Sequence, residues 1–330
     1  MRIRIIKPGV LSTIQDKGRR MYLSQAVPIS GAMDPLSARL ANIAVGNNED
    51  AAIIEFTYAN ASFVAETDLL IAYTGGGAIL NLSIGNVPAE RPVYIPAGTT
   101  VYLNNAGSGC RMYLAVAGGW NVPGVLGSRS TFITAGIGGI EGRALKEGDV
   151  LSNTAQLSVT SKNMLQALQT NGPNYPNWSI GARLFLPEDR TIIRVFSANE
   201  YDWFKTASQH LFWTSAYTIS NRSNRMGIHL DGALMERKET QELLSTAVTP
   251  GTIQVTGNGS MVLLMADCQT TGGYPRIAQV AAVDLPLCGQ LKPGDEVFFK
   301  EITSHEAEML YLEQEKQLRL LARAVKNKYL

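Results

Sequence analysis

At 330 residues, with 45% hydrophobic and 17% charged residues, the chain has the composition of an ordinary globular protein, and its length suits about two domains of roughly 150 residues each. Twenty-nine Lys and Arg against 28 Asp and Glu leave a formal net charge of +1, so the strongly basic footprint expected of a nucleic-acid or anionic-membrane binder is missing. Cys110, Cys268 and Cys288 lack CxxC spacing and lie in apolar, strand-like contexts. They read as buried thiols rather than a disulfide framework or a zinc site.

Met1 to Gly9 runs straight into a β-like segment without the apolar stretch of a signal peptide, and no window approaches ~18 consecutive apolar residues. No membrane association is expected, and the cytoplasm is the expected location. Asp34-Pro35 offers an N-cap with proline at the first helical position, followed by Leu36, Leu40, Ile43 and Ala44 at helical spacing until Gly46-Asn47-Asn48. Short apolar runs at Ser62-Phe63-Val64, Leu69 to Tyr73, Met112 to Val116 and Met261 to Met265 are bounded by turn residues, the signature of sandwiches and barrels. Pro96-Ala97-Gly98, Lys146 to Asp149 and Lys292 to Asp295 read as turns before strands. Asn171 to Asn177 is the best linker candidate. Tyr201 to Trp213 reads as a second helix. Ser304 to about Lys326 reads as a third, with an apolar stripe of Ala307, Leu310, Leu318, Leu321 and Val325 that docks on the protein itself.

The chain carries one design twice. Arg4-Ile5-Ile6 has a counterpart in Arg194-Val195-Phe196, and Pro28-Ile29-Ser30 in Thr218-Ile219-Ser220, both 190 residues on. Thr74-Gly75-Gly76 recurs as Thr271-Gly272-Gly273 after 197, and Gly98 to Leu103 as Gly294 to Phe299 after 196. A period this long implies duplicated domains rather than a solenoid, whose periods are ~20–50 residues. The expected fold is mainly β with a few helices, in two β-domains and a C-terminal helix. The first domain spans 1–185 with an inserted segment near 104–152, and the second spans 186–330.

Several segments concentrate polar chemistry. Thr13 to Arg19 places Gln15, Asp16, Lys17 and Arg19 in one turn, which also reads as an ordinary surface turn. Ser30-Gly31-Ala32-Met33-Asp34-Pro35 is a small-residue loop entering a helix N-terminus, suited to an anion or simply to an Asp N-cap. Ser220 to Gly227 sets Arg222 and Arg225 three apart beside Asn221. Guanidinium forks suit a carboxylate or phosphate, although arginines also merely solvate loops. Gln269-Thr270-Thr271-Gly272-Gly273-Tyr274-Pro275 combines an amide, two hydroxyls and glycines that permit close backbone approach, or forms a plain turn. Thr74 to Gly77 lacks the Lys-Ser/Thr pair of a P-loop, no GxGxxG opens a helix, and His210, His229 and His305 sit in no protease-like context.

Taken together, Gln15-Asp16-x-Gly18-Arg19, Ser30 to Pro35, Leu114 to Gly119, Leu126 to Thr131, Ser223 to Gly227 and Gln269 to Pro275 resemble the biotin-dependent carboxyltransferase family, also called allophanate hydrolase subunit 2 or KipA-like. The resemblance covers nearly the whole chain, and within the family a stand-alone chain of this length resembles the 5-oxoprolinase branch. It implies two cyclophilin-like β-barrels, with a KipI-like protein and a LamB/YcsF-like protein as partners. It also implies a complex that uses ATP to convert 5-oxoproline to glutamate, the chain being inactive alone. Its alternatives are a regulator that binds a KipI-like partner, and a carboxyltransferase acting on urea or another small amide. No Met-Lys-Met biotin-attachment tripeptide occurs in the chain, so biotin would have to be carried elsewhere. The expected catalytic candidates are Asp16, Asp34, Arg222 and Arg225, with no metal. The expected substrate-binding residues are Arg19, Arg129, Asn221, His229, Gln269, Thr270, Thr271 and Tyr274. They divide into one polar cluster around Arg222, Arg225 and the 269–274 loop, and a second around Asp16, Arg19, Asp34 and Arg129. Family members usually carry arginine where this chain has His229, which would make anion affinity there pH-dependent.

Overall fold

The computed structural model describes residues 1–185, 190–239 and 242–330. The chain forms two compact units: Met1–Gly18, Asp34–Leu184 and Lys316–Leu330 make up the first, and Arg19–Met33 with Phe185–Glu315 the second.

The first unit holds β1 (Arg2–Lys7), β2 (Leu11–Gln15), β3 (Ile53–Thr57), β4 (Ala61–Ala65), β5 (Leu69–Thr74), β6 (Ala78–Leu82), β7 (Gly85–Val87), β8 (Pro92–Ile95), β9 (Thr100–Asn105), β10 (Arg111–Val116) and β11 (Val150–Ser152). They form a six-stranded sheet, β11-β1-β4-β9-β6-β7, and a five-stranded sheet, β2-β3-β10-β5-β8. Alternation in β1 points Ile3 and Ile5 inward, where they join Phe63, Ile71, Leu103, Leu114 and Trp120 in one core. β5 and β10 are buried along their whole length, because α1 (Pro35–Ala44) covers the face they turn away from that core. The α1 start is the expected one: Asp34 Oδ1 accepts the Ser37 N–H at 2.8 Å and Oδ2 the Ser37 hydroxyl at 2.6 Å.

The second unit holds β12 (Ile192–Ser197), β13 (Tyr217–Ile219), β14 (Gly227–Asp231), β15 (Thr246–Ala247), β16 (Thr252–Val255), β17 (Met261–Leu264), β18 (Thr271–Gly272), β19 (Arg276–Val280) and β20 (Glu296–Glu301). Seven of them close a barrel in the order β12-β19-β16-β17-β14-β13-β20, while β15 and β18 pair as a separate ribbon. Ile193, Val195, Tyr217, Ile253, Leu263 and Phe299 fill its core, and Phe212 stacks on Phe299 at 4.8 Å between centroids.

The repeat read from sequence is visible in two of its four words, while Pro28-Ile29-Ser30 lies in no strand although its match Thr218-Ile219 lies in β13. β1 and β12 start each copy with the same inward pair. β9 and β20 share the alternating pattern of two buried positions, Val101 and Leu103 against Val297 and Phe299. Both follow a turn whose glycine is left-handed, Gly98 at φ +83° and Gly294 at φ +90°. The third word diverges, since Thr74 ends β5 whereas Thr271 opens the two-residue β18.

The helical expectation at 201–213 needs correction. A 3-10 turn at Tyr201–Trp203 and α3 (Thr206–Thr214) are separated by extended Phe204 and Lys205. Phe204 is wholly buried and bridges Arg237, while the Lys205 N–H donates to Glu236 O, so an extended pairing displaces the helical turn. α2 (Val159–Leu168) was not anticipated. Its β-branched Val159 and Thr160 mask a helix that Ser158 caps by accepting the Ser161 N–H. α4 (Leu285–Gln290) is equally short of periodic signal. The suspected linker is docked within the first unit, Asn174 pairing with Tyr94 and Arg91 donating to Pro176 O at 3.0 Å. α5 (Ser304–Lys328) buries the expected Ala307, Leu318 and Val325. No helix among the described residues is long and apolar enough to cross a membrane.

Candidate functional site

In the first unit β2 delivers Asp16 to a turn, where its carboxylate gathers four donors. Oδ1 accepts the Gly18 N–H at 2.8 Å and the hydroxyls of Ser128 and Ser130 at 2.6 Å each, and Oδ2 accepts the Arg129 N–H at 2.5 Å. The Asp16 N–H in turn donates to Ser130 Oγ at 2.9 Å. Asp16 and Arg129 are therefore brought together, but through the backbone of Arg129, whose guanidinium Nε donates to Val122 O at 3.2 Å. These four hydrogen bonds fix the 128–130 loop against the end of β2.

Asp34 caps α1, and its N–H donates to the Tyr113 hydroxyl at 2.8 Å. Tyr113 donates onward to Glu55 Oε2 at 2.8 Å, with Arg111 Nε 3.9 Å from Glu55 Oε1. Burial pushes the Tyr113 hydroxyl well above its ordinary pKa of 10, and the Glu55 and Asp34 charges add to that. Tyr113 thus acts as a neutral donor. Asp34, Glu55 and Tyr113 are almost completely buried, a satisfied polar cluster beneath the helix start. Glu55 and Tyr113 were not singled out as site residues from the sequence, although Tyr113 lies in the Met112 to Val116 run read there as a strand.

In the second unit Arg225 and Arg222 do not form a pair, although three residues separate them. Arg225 is 7% exposed, and its guanidinium grips Asp267 at 2.8 and 3.2 Å while Nη2 also donates to Gly31 O at 2.6 Å. The Ser30 N–H donates to Ala266 O at 2.9 Å, and the Asp267 N–H to Arg225 O at the same distance. The small-residue loop and the end of β17 are thereby pinned to the turn before β14. Asp267 was missed by sequence reading. The signal available was the cost of burying an unpaired arginine, which demands a nearby carboxylate. Arg222 instead points outward, 3.1 Å from Asp231 with both side chains more than half exposed, and its Nε reaches Ser220 Oγ at 3.3 Å. Asn221 is exposed beside it.

His229 lies on β14, half-buried, its N–H donating to Ser223 Oγ at 3.1 Å. Burial, then the charge of Arg222, lowers its pKa below the ordinary 6.5, partly opposed by Asp231. The 269–275 loop stands on Gln254, which is 2% exposed. Gln254 Nε2 donates to Tyr274 O and its Oε1 accepts from Gln269 Nε2, both at 3.2 Å. Thr270 is buried and its carbonyl accepts the Val248 N–H, whereas Thr271 and the Tyr274 ring are exposed. A Cβ at Gly272 would lie 2.6 Å from Gln254 Nε2, so a larger residue there would have to displace this amide. Arg276 flanks the loop in a bidentate pair with Glu200, 2.6 Å at each contact. Gln254, Glu200 and Arg276 carried no local sequence signal. Arg19 belongs to this unit, with its side chain buried and its N–H donating to Ile29 O.

All three cysteines are buried, and burial pushes the Cys268 thiol up to about 12, which removes it as a nucleophile near neutrality. A cleft of about 460 Å³ lies beside the start of α5, lined by Phe196, Ser197, Glu301 and Thr303 among others, and none of the candidate residues reaches it.

Comparison with known proteins agrees with this architecture. The carboxyltransferase domain, subdomains A and B, matches residues 25–301. The chain is 36% identical to the C subunit of 5-oxoprolinase from Escherichia coli over 325 residues, 98% of this chain and 99% of that protein. It is 34% identical to the C subunit of 5-oxoprolinase from Haemophilus influenzae over 317 residues, 96% of each. Among solved structures, the Kluyveromyces lactis urea carboxylase superposes with a TM-score of 0.86 at 30% identity, covering 97% of this chain and 29% of the larger protein.

Proposed function

The chain belongs to the carboxyltransferase domain family of subdomains A and B, and from that premise we propose that it is the C subunit of a heteromeric, ATP-dependent 5-oxoprolinase. The observation that carries this reading is the end-to-end match: the 5-oxoprolinase relatives are covered over 96–99% of their length, whereas the urea carboxylase is covered over 29%. Under this reading a KipI-like protein and a LamB/YcsF-like protein complete the enzyme in the cytoplasm, and the isolated chain is inactive. Biotin has no attachment tripeptide here.

The reaction must open an unreactive lactam. ATP would phosphorylate the lactam oxygen, water would add to the activated carbon, the C–N bond would break, and a second water would release phosphate and leave glutamate. The contribution open to this chain is positioning, through donors aimed at the oxygen where charge accumulates. We assign substrate-facing roles in the second unit to Gln269, Thr270, Thr271 and Tyr274, with Asn221, Arg222 and His229 on the neighbouring turn and strand. Arg225 acts there as a positioning residue, as do Asp16 and Asp34 in the first unit, because their polar atoms already hold the loops in place.

The test is glutamate release from 5-oxoproline and ATP, comparing the chain alone with a mixture containing its KipI-like and LamB/YcsF-like partners. Glutamate from the mixture and none from the chain alone is the expected result. Turnover by the chain alone would remove the division of labour, and none from an assembled mixture would remove the substrate.

A further inference from the structure

Ser30 is 4% exposed, and its hydroxyl has no hydrogen-bond partner among the described residues. Leaving a buried hydroxyl unmatched costs stability, so its retention calls for an occupant. The backbone around it is also held in an unfavourable form. Ser30 sits at φ +56°, a left-handed conformation uncommon outside glycine, and Gly31 follows at φ +87°. Two bonds keep it there, the Ser30 N–H to Ala266 O and the Arg225 guanidinium to Gly31 O.

The same contacts set what the loop can bind. Gly31 O is occupied by a cation, while the N–H groups of Gly31 and Ala32 meet no acceptor among the described residues. Gly31 O and the Ala32 N–H belong to one peptide unit, so the guanidinium on the oxygen polarises the N–H and strengthens it as a donor. Ala32 is half-buried, which leaves this end of the loop open to solvent. Ser220, which the sequence repeat matches to Ser30, differs in that its hydroxyl accepts from Arg222 Nε within the protein.

We propose that Ser30, Gly31 and Ala32 form a binding site for a carbonyl or carboxylate oxygen of a small ligand, donated to by the Ser30 hydroxyl and the two N–H groups. The identity of that ligand as 5-oxoproline, which offers both kinds of oxygen, rests on the function proposed above. No residue of this loop other than Ser30 needs a side chain for the role.

Two variants test it. Ser30→Ala removes the hydroxyl, and Ser30→Gly removes it while also releasing the left-handed backbone from strain. In the assembled complex, both are expected to lower kcat/KM for 5-oxoproline at least about tenfold, while the thermal midpoint of the chain stays equal to wild type or rises. Wild-type kcat/KM in both variants would show that the hydroxyl meets only water and would overturn the site. If the wild-type mixture makes no glutamate, the functional reading fails by itself. Calorimetric titration of the chain with 5-oxoproline, acetamide and acetate then decides the site: weaker binding by both variants supports it, and equal or absent binding of all three probes overturns it.

Discussion

The turn after β2 in the first unit and the turn before β14 in the second each gather their neighbours around one charged side chain, Asp16 and Arg225. The partners differ. Asp16 is half-buried and takes neutral donors, serine hydroxyls and backbone N–H groups, whose loss a water entering at this half-exposed position can offset. Arg225 is buried and faces a buried carboxylate, Asp267, which cannot. Both residues look from sequence like chemistry, and both hold loops. Their removal should differ in cost because the groups left behind differ.

The largest effect is therefore expected from Arg225→Met, at about 3–5 kcal/mol, since it strands the Asp267 charge. Urea unfolding of the isolated chain measures it, and adding Asp267→Leu should recover most of the loss. A single-variant cost under about 1 kcal/mol would mean that Asp267 finds water and that the two turns are equivalent. Asp16→Asn comes next, at about 1.5–3 kcal/mol, because its amide presents donors where the 128–130 loop also presents donors. A neutral outcome there would show that the loop is held by its own turn.

Tyr113→Phe tests the same principle below α1. It removes the donor to Glu55 and the acceptor for the Asp34 N–H, and should cost about 1–3 kcal/mol, read by the same unfolding experiment. A cost near zero would indicate that water replaces the hydroxyl.

These examples also show what a sequence can disclose. The duplicated strands, the turns at Gly98 and Gly294 and the cap at Asp34 were legible because each rests on local periodicity or local turn chemistry. Arg222 and Arg225 were legible as a pair of charges but not as one exposed and one buried residue. Their difference is set by Asp267, 42 positions beyond Arg225. Gln254 was illegible for the same reason, being an unremarkable strand residue until the 269–275 loop folds over it. Phe204 shows the converse, where burial and pairing with a distant segment overrode helical periodicity.

A smaller, pH-dependent effect separates paired from unpaired groups in the second unit. Burial alone would raise the Glu200 pKa, but the Arg276 fork and its N–H outweigh that and hold it below the ordinary 4.5. A carboxylate with a depressed folded pKa contributes stability that is fully present above its unfolded value and is lost as pH falls through the folded one. Arg276→Leu should therefore lower stability near neutrality and flatten its fall on acidification below about pH 4.5. An unchanged acid limb would assign that fall to other carboxylates.

The smallest stability change is expected from Arg222→Ala, about 0–1 kcal/mol for an exposed ion pair and less in high salt. Its informative consequence is at His229. The depressed His229 pKa implies stability present above pH 6.5 and lost as pH falls through the folded value. Arg222 contributes to that depression, and Asp231, now without its arginine, pulls the other way. Removing Arg222 should therefore move the His229 titration upward, toward 6.5 or above, as followed by NMR of its ring protons. An unmoved titration would leave burial as its sole cause and would detach His229 electrostatically from the turn that carries Arg222.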